Sequence, residues 1–285
     1  MNDDTRPLLD VRDLRVDYDV AGAASWRRRT LTVVKGISFS IAPGETYGLV
    51  GESGSGKSTT GRAVLRLADV SGGSVHFRGR DLAEMGRRTP LSFRRQIQAV
   101  YQDPVASLNP RHHVGRAVTE TLERHGLGDR RERYRKAVES FEQVGLTEAH
   151  LGRFPAEMSG GQLQRVAIAR ALVLDPRLVV CDEAVSALDL STQSQIINLL
   201  MDLQAARGVS YLFITHDLGV VRHISHHVGV LRHGELVEQG RTRDVFAAPQ
   251  HEYTRSLLAA SPASHPAGRE QRRAERLARR TDTAA

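Results

Sequence analysis

Short apolar runs broken by turn residues alternate with longer stretches whose apolar positions recur at helical spacing. Leu9, Val11, Leu14, Val16 and Tyr18 alternate in part with polar residues, a strand pattern. Residues 22–29 are small, polar and basic, and read as an exposed loop. A second strand follows over 31–41, and Pro43-Gly44 turns the chain into an apolar strand at 47–50. A helical pattern then covers 57–68, with short strands at 75–77 and 97–101. From 103 to 158 no central-strand pattern occurs. Pro104 and Pro110 bracket a loop there, and helical spacing covers 114–125 and 130–144. Residues 160–174 form a helix with Val166, Ala169, Leu172 and Val173 on one face. A compact strand at 178–181, a helix at 192–206, a strand at 210–215 and a strand pair at 228–231 and 235–238 complete the core. Two short helices bring it to about residue 260. The expected fold is α/β: a mixed sheet with antiparallel strands packed on a parallel core, and a helical subdomain inserted at about 103–158. Residues 1–260 are one domain, and 261–285 a loosely held, disordered tail.

With 285 residues, 40% of them hydrophobic, the chain can bury a sizeable core. No apolar run approaches the roughly 18 residues of a membrane span. The start, Met1-Asn2-Asp3-Asp4, is acidic and carries no secretory signal. Cys181 is the single cysteine, which excludes internal disulfides, cysteine-ligated zinc and an all-cysteine iron–sulfur cluster. A soluble cytoplasmic protein is the simplest expectation, and Cys181 reads as a buried, inert strand residue. The net charge of +7 raises nucleic acid as a partner, but much of the excess is local. Six arginines between Arg269 and Arg280 dominate the tail, and Trp26-Arg27-Arg28-Arg29 adds a small cluster. Such an end reads as solvated, with attraction to an anionic membrane as the other reading, and no nucleic-acid partner is expected.

The chemistry begins at Gly51-Glu52-Ser53-Gly54-Ser55-Gly56-Lys57-Ser58-Thr59, between a strand and a helix. It matches G-x-x-x-x-G-K-[ST], the phosphate loop of nucleoside triphosphate-binding proteins. Glycines let the backbone curl so that successive N–H groups face one anion, and the helix N-terminus adds positive potential. Lys57 should reach the β- and γ-phosphates and the Ser58 hydroxyl should ligate Mg²⁺. Far downstream, Leu178-Val179-Val180-Cys181 ends in Asp182-Glu183. A buried strand of this kind fixes carboxylates at its C-terminal end, where open α/β sheets bind ligands. Asp182 should hold the metal shell and Glu183 should polarise the attacking water.

Gln102 follows a strand, Ser159-Gly160-Gly161-Gln162 precedes a helix, Ser186-Ala187-Leu188-Asp189 follows the acids, and His216 ends the next strand. With the two earlier motifs, this set resembles the nucleotide-binding domain of ATP-binding cassette (ABC) proteins over about residues 8–260. The resemblance implies a P-loop NTPase of ABC type. Gln102 becomes the Q-loop residue, close to the catalytic groups and the metal. Ser159, Gly160, Gly161 and Gln162 become the signature, Asp189 closes the D-loop, and His216 becomes the switch histidine. It further implies that Ser159 reaches the γ-phosphate of an ATP held by another subunit, so that two ATP molecules lie in a head-to-tail dimer. Tyr18 is either the adenine platform, stacking on the base, or a core-filling aromatic.

The run Tyr101-Gln102-Asp103-Pro104-Val105-Ala106-Ser107-Leu108-Asn109-Pro110 is similar to the ATP-binding subunits of oligopeptide/dipeptide/nickel importers, particularly the second of their two ATPases. Arg153-Phe154-Pro155 and His251-Glu252-Tyr253-Thr254-Arg255-Ser256-Leu257-Leu258 agree. That similarity implies a second ATPase subunit, two membrane permeases, an extracellular solute-binding protein, and a place on the cytoplasmic face of the membrane. Ala184 departs from the family's usual proline, and the subgroup's cysteine-rich C-terminal extension gives way to arginines. The cofactors expected are ATP and Mg²⁺, and the expected activity is ATP hydrolysis energising uptake of peptides or a similar solute. Exporter subunits and soluble ABC ATPases are the alternatives. The absence of an internal repeat reads as one ATPase unit. His223, His226 and His227 lack an evident fourth ligand and read as solvated helix-end residues.

Overall fold

The computed structural model describes residues 6–21, 28–86 and 88–260. The chain opens with strands β1 (Leu9–Ala21), β2 (Arg28–Ile41) and β3 (Thr46–Val50), then helix α1 (Lys57–Val64). Next come β4 (Gly72–Phe77), β5 (Arg80–Asp81), α2 (Leu91–Gln96) and β6 (Ile97–Tyr101). Three helices follow, α3 (Val114–Arg124), α4 (Arg130–Gln143) and α5 (Gly160–Leu172). The chain then runs through β7 (Leu178–Asp182), α6 (Leu190–Arg207), β8 (Ser210–Thr215), α7 (Leu218–Ile224) and β9 (His227–Arg232). It closes with β10 (Glu235–Arg241), α8 (Thr242–Ala247) and α9 (Glu252–Ala260).

Two sheets organise these elements. The main sheet has the order β10-β9-β3-β8-β7-β6, parallel except for the antiparallel edge strand β10. The second, β2-β1-β4-β5, is antiparallel. Every residue of β3 and β8 is buried, as in a parallel sheet covered on both faces. The side-chain period of two sorts these strands between cores. Val179, Cys181, Tyr211 and Phe213 pack with the helices α3 to α6 on one face. Leu178, Val180, Leu212 and Ile214 pack on the other, with α1 and the antiparallel sheet. A small third core joins Val50, Leu218, Val221, Val228, Val230, Val245 and Tyr253.

The α/β expectation holds, with corrected boundaries. Strand β2 begins at Arg28, inside the expected loop of 22–29. Residues 22–27, with Trp26 and Arg27, lie outside the described residues, as does the arginine tail beyond 260. The helix expected over 57–68 stops at Val64, because Arg66 takes a left-handed turn (φ 56°) that leaves Leu67 60% exposed. Helices α2 and α7, of six and seven residues, are too short to carry a periodic signal and escaped the pattern. Between Tyr101 and Leu178 no described residue joins a sheet.

Candidate active site

The loop between β3 and α1 is shaped by its glycines. Gly54 and Gly56 have φ of 77° and 106°, in the left-handed region that a side chain strains. A Cβ on Gly56 would also stand 2.8 Å from the Val33 carbonyl oxygen, and one on Gly51 would stand 2.1 Å from that of Leu231. Lys57 opens α1 and is buried, its ammonium donating to the carbonyls of Gly51 (2.8 Å) and Glu52 (2.7 Å). Burial lowers its pKa, opposed by the carboxylates of Glu183, Asp182 and Glu52. Glu52, Ser53 and Gly54 are exposed at the loop's rim, and Ser58 and Thr59 are half-buried on the helix.

Strand β7 delivers the acids. Its buried residues end at half-buried Asp182, whose Oδ1 accepts the Ser58 hydroxyl at 2.8 Å. Burial pushes the Asp182 carboxyl up, the Ser58 hydrogen bond pulls it down, and the neighbouring Glu183 pushes it up again. Glu183 leaves the strand at φ 51°, a left-handed conformation uncommon outside glycine. Its N–H donates to the Ile214 carbonyl at 2.9 Å, and its own carbonyl accepts the Ser186 hydroxyl at 3.0 Å. The turn so fixed leaves the Glu183 Oε1 3.6 Å from Nδ1 of His216, which follows the adjacent strand β8 and is largely exposed. Strand β6 runs parallel beside β7, with Tyr101 in register with Asp182, so exposed Gln102 leaves the sheet next to the acids.

The remaining expected residues lie at the starts of α5 and α6 and on β1. Ser159 caps α5: its Oγ accepts from the Gln162 N–H at 3.3 Å, while the Gln162 Oε1 accepts from the Ser159 N–H at 3.0 Å. This reciprocal capping box leaves Ser159 and Gly160 exposed at a helix N-terminus. Gly161 lies against α6, where a Cβ would stand 2.5 Å from the Thr192 methyl. Asp189 caps α6, accepting from the N–H groups of Ser191 and Thr192, each at 3.0 Å, and from both hydroxyls. Those bonds, led by the Thr192 N–H, hold its carboxyl well below the usual range. Tyr18 on β1 is 37% exposed beside exposed Leu31 and does not fill the core.

Ala184 is buried within the helical-side core. Cys181 is buried, its thiol pushed up to about 12 by burial, in keeping with an inert residue. The three histidines do not all sit at a helix end: His226 Nδ1 accepts the Thr46 N–H at 3.1 Å, and His227 starts β9 3.4 Å from Glu45. Among the described residues no group of three or more His, Cys, Asp or Glu is gathered as a metal site. Sequence reading missed the buttress under the phosphate loop. Gly234, in the β9–β10 turn, donates its N–H to the Ser55 carbonyl at 2.9 Å, and Tyr253 Oη accepts the Glu52 N–H at 3.2 Å. The His233-Gly234 pair was its only local signal.

A family model described as ABC transporter matches residues 34–186. The glutathione import ATP-binding protein GsiA of Salmonella typhi is 49% identical over 270 residues, 94% of this chain and 43% of that protein. Its counterpart from Escherichia coli (strain K12) is 48% identical over 264 residues, 92% of this chain and 42% of that protein. The chain therefore spans less than half the length of these curated relatives. Among solved structures, cbiO1 from Clostridium perfringens, part of the ABC transporter complex cbiONQ, superposes with a TM-score of 0.72 at 27% identity, covering 85% of this chain and 91% of that one. MJ0796, a dimeric ATP-binding cassette bound to ADP and Pi in a post-hydrolysis state, gives 0.73 at 28% identity, covering 82% and 99%. The family match takes in more than half of the residues, and on that ground this chain belongs to the ABC transporter family, with the α/β fold of its ATPase domains.

Proposed function

We propose that the protein is an ATP-hydrolysing subunit that energises import of peptides or a similar small solute through a membrane transporter. The observation that carries the chemistry is the Ser58–Asp182 hydrogen bond, joining residues 124 apart at the end of the glycine loop. The Lys57 ammonium, held by two loop carbonyls, is free to exchange them for the β- and γ-phosphate oxygens of ATP. The oxygen-only set of Ser58, Asp182 and Gln102 suits Mg²⁺, which prefers hard ligands and supplies charge neutralisation on the triphosphate when bound. Glu183 takes the proton as water attacks the γ-phosphorus. The bond from that phosphorus to the bridging oxygen breaks, ADP leaves with the electron pair, and inorganic phosphate forms. His216, close to Glu183, orients the same water and the γ-phosphate. Tyr18, exposed on its strand, stacks on adenine.

The exposed Ser159–Gly160 helix start is a second phosphate-binding device, and we assign it to the ATP of a mate cassette. Asp189 lies at that junction, and the mate is a second copy or a distinct ATPase subunit. Two permeases dock on the helical region, and an extracellular solute-binding protein delivers cargo. A cleft of about 310 Å³ lined by Leu108, His112, His113, Val114, Pro155 and Arg170 lies beside the Q-loop segment as their seat. No described helix is long and apolar enough to cross a membrane, which accords with a peripheral subunit at the cytoplasmic face. The import direction rests on the Q-loop run and on relatives named for import of glutathione, itself a short peptide. Purification with its membrane partners tests this. Permeases that co-purify and stimulate ATP turnover are expected, whereas recovery with ribosomes or DNA alone would retire it.

A further inference from the structure

The run from His251 to Leu258 carries no group of the proposed reaction, yet it reaches the phosphate loop. Glu238 on β10 fixes its start, accepting the N–H groups of Gln250 (2.7 Å) and His251 (3.0 Å). Two residues after His251, Tyr253 turns inward and is 7% exposed. Its ring packs in the small core that contains Val50, the last residue before the loop, and the Arg232 guanidinium lies 4.9 Å from the ring centroid. The hydroxyl accepts the Glu52 N–H, while the Glu52 carbonyl accepts from the Lys57 ammonium and from the Ser55 N–H at 3.2 Å. Glu52 is thus tethered through both its N–H and its carbonyl, and of the three partners only Tyr253 lies outside the nucleotide-binding set. When phosphate draws the Lys57 ammonium away, the tyrosine hydroxyl is the contact that still ties this residue to a segment outside the loop.

We propose that Tyr253 is a positioning residue that holds the phosphate loop in its binding shape, so that the segment 250–258 helps set affinity for the triphosphate. The proposal rests on the ATP-site reading above. A loop that visits other shapes binds more weakly in proportion to the fraction of time it is competent. Loss of one neutral hydrogen bond therefore weakens binding about three- to tenfold.

The test is calorimetric titration of MgATP into the intact chain and its variants. Tyr253→Phe keeps the ring, its packing and its cation contact, and removes only the hydroxyl. Its expected result is an affinity weakened about three- to tenfold, a raised KM with kcat nearly unchanged, and an unaltered unfolding midpoint without nucleotide. Glu238→Ala, which frees the start of the segment and spares the hydroxyl, should weaken binding in the same direction. The double variant should be no weaker than the weaker single one, because both act through one contact. Wild-type affinity in Tyr253→Phe, with the wild-type chain binding MgATP, overturns the proposal and leaves the ATP site standing. So does an affinity loss matched by a lowered nucleotide-free midpoint, which marks a merely structural role. A wild-type chain that binds no MgATP overturns the ATP-site reading, and the proposal with it.

Discussion

Glu183 sits where its backbone is least comfortable, and the left-handed turn turns its carboxylate out of the strand toward His216. Residues held in such conformations cluster at functional sites because surrounding bonds over-determine them. Here those bonds come from Ile214 and Ser186. Glu183→Gln keeps the shape and removes the proton acceptor proposed above. It should bind MgATP as the wild type does and lower turnover by about 10²–10⁴-fold, read by steady-state phosphate release. Lys57→Ala should abolish measurable ATP affinity in the same titrations. Asp189 offers a pH test. Its folded pKa is depressed below the ordinary value of 3.8, so its stabilisation is full above that value and fades as pH falls through the folded one. Asp189→Ala should therefore unfold at a lower temperature than wild type at pH 7, and the gap should narrow toward acid, by thermal melts across pH.

At the scale of elements, the phosphate loop is wedged between β2, the β9–β10 turn and α9. Gly56→Ala would force a side chain both into left-handed backbone and against the Val33 carbonyl. It should fold but bind MgATP at least about tenfold more weakly, the effect of roughly 1.4 kcal/mol of strain. The helical layer is held by a separate core in which Phe141 is fully buried. Phe141→Ala should cost about 3–5 kcal/mol in denaturant unfolding. Much of this was legible in the sequence, because a turn glycine, a cap or an acid-tipped strand acts over a few consecutive residues. The helix start after Ser159 and the strand ending at Asp182 are such local signals. The support from Leu231, Gly234 and Tyr253 was not, since each contact joins distant segments and leaves no period in either. Helix α1 ended early for a related reason: Leu67 continues the apolar pattern but meets no partner core.

For the whole molecule, the fold presents two surfaces that we propose bind phosphate. The glycine loop and acids form one, and the exposed start of α5 the other. Exposed Leu190, beside the Asp189 cap, continues the second surface. On the proposed function, a mate cassette joins the two into one site, and its closure and reopening transmit ATP chemistry to the permeases. The measurement that tests this most directly is sedimentation of Glu183→Gln with saturating MgATP, alone and combined with Ser159→Arg. The account predicts a mass that doubles with nucleotide in the first variant. In the second, the chain should stay monomeric with one ATP bound. A double variant that pairs as readily as Glu183→Gln, or nucleotide-loaded Glu183→Gln that never pairs, would contradict it.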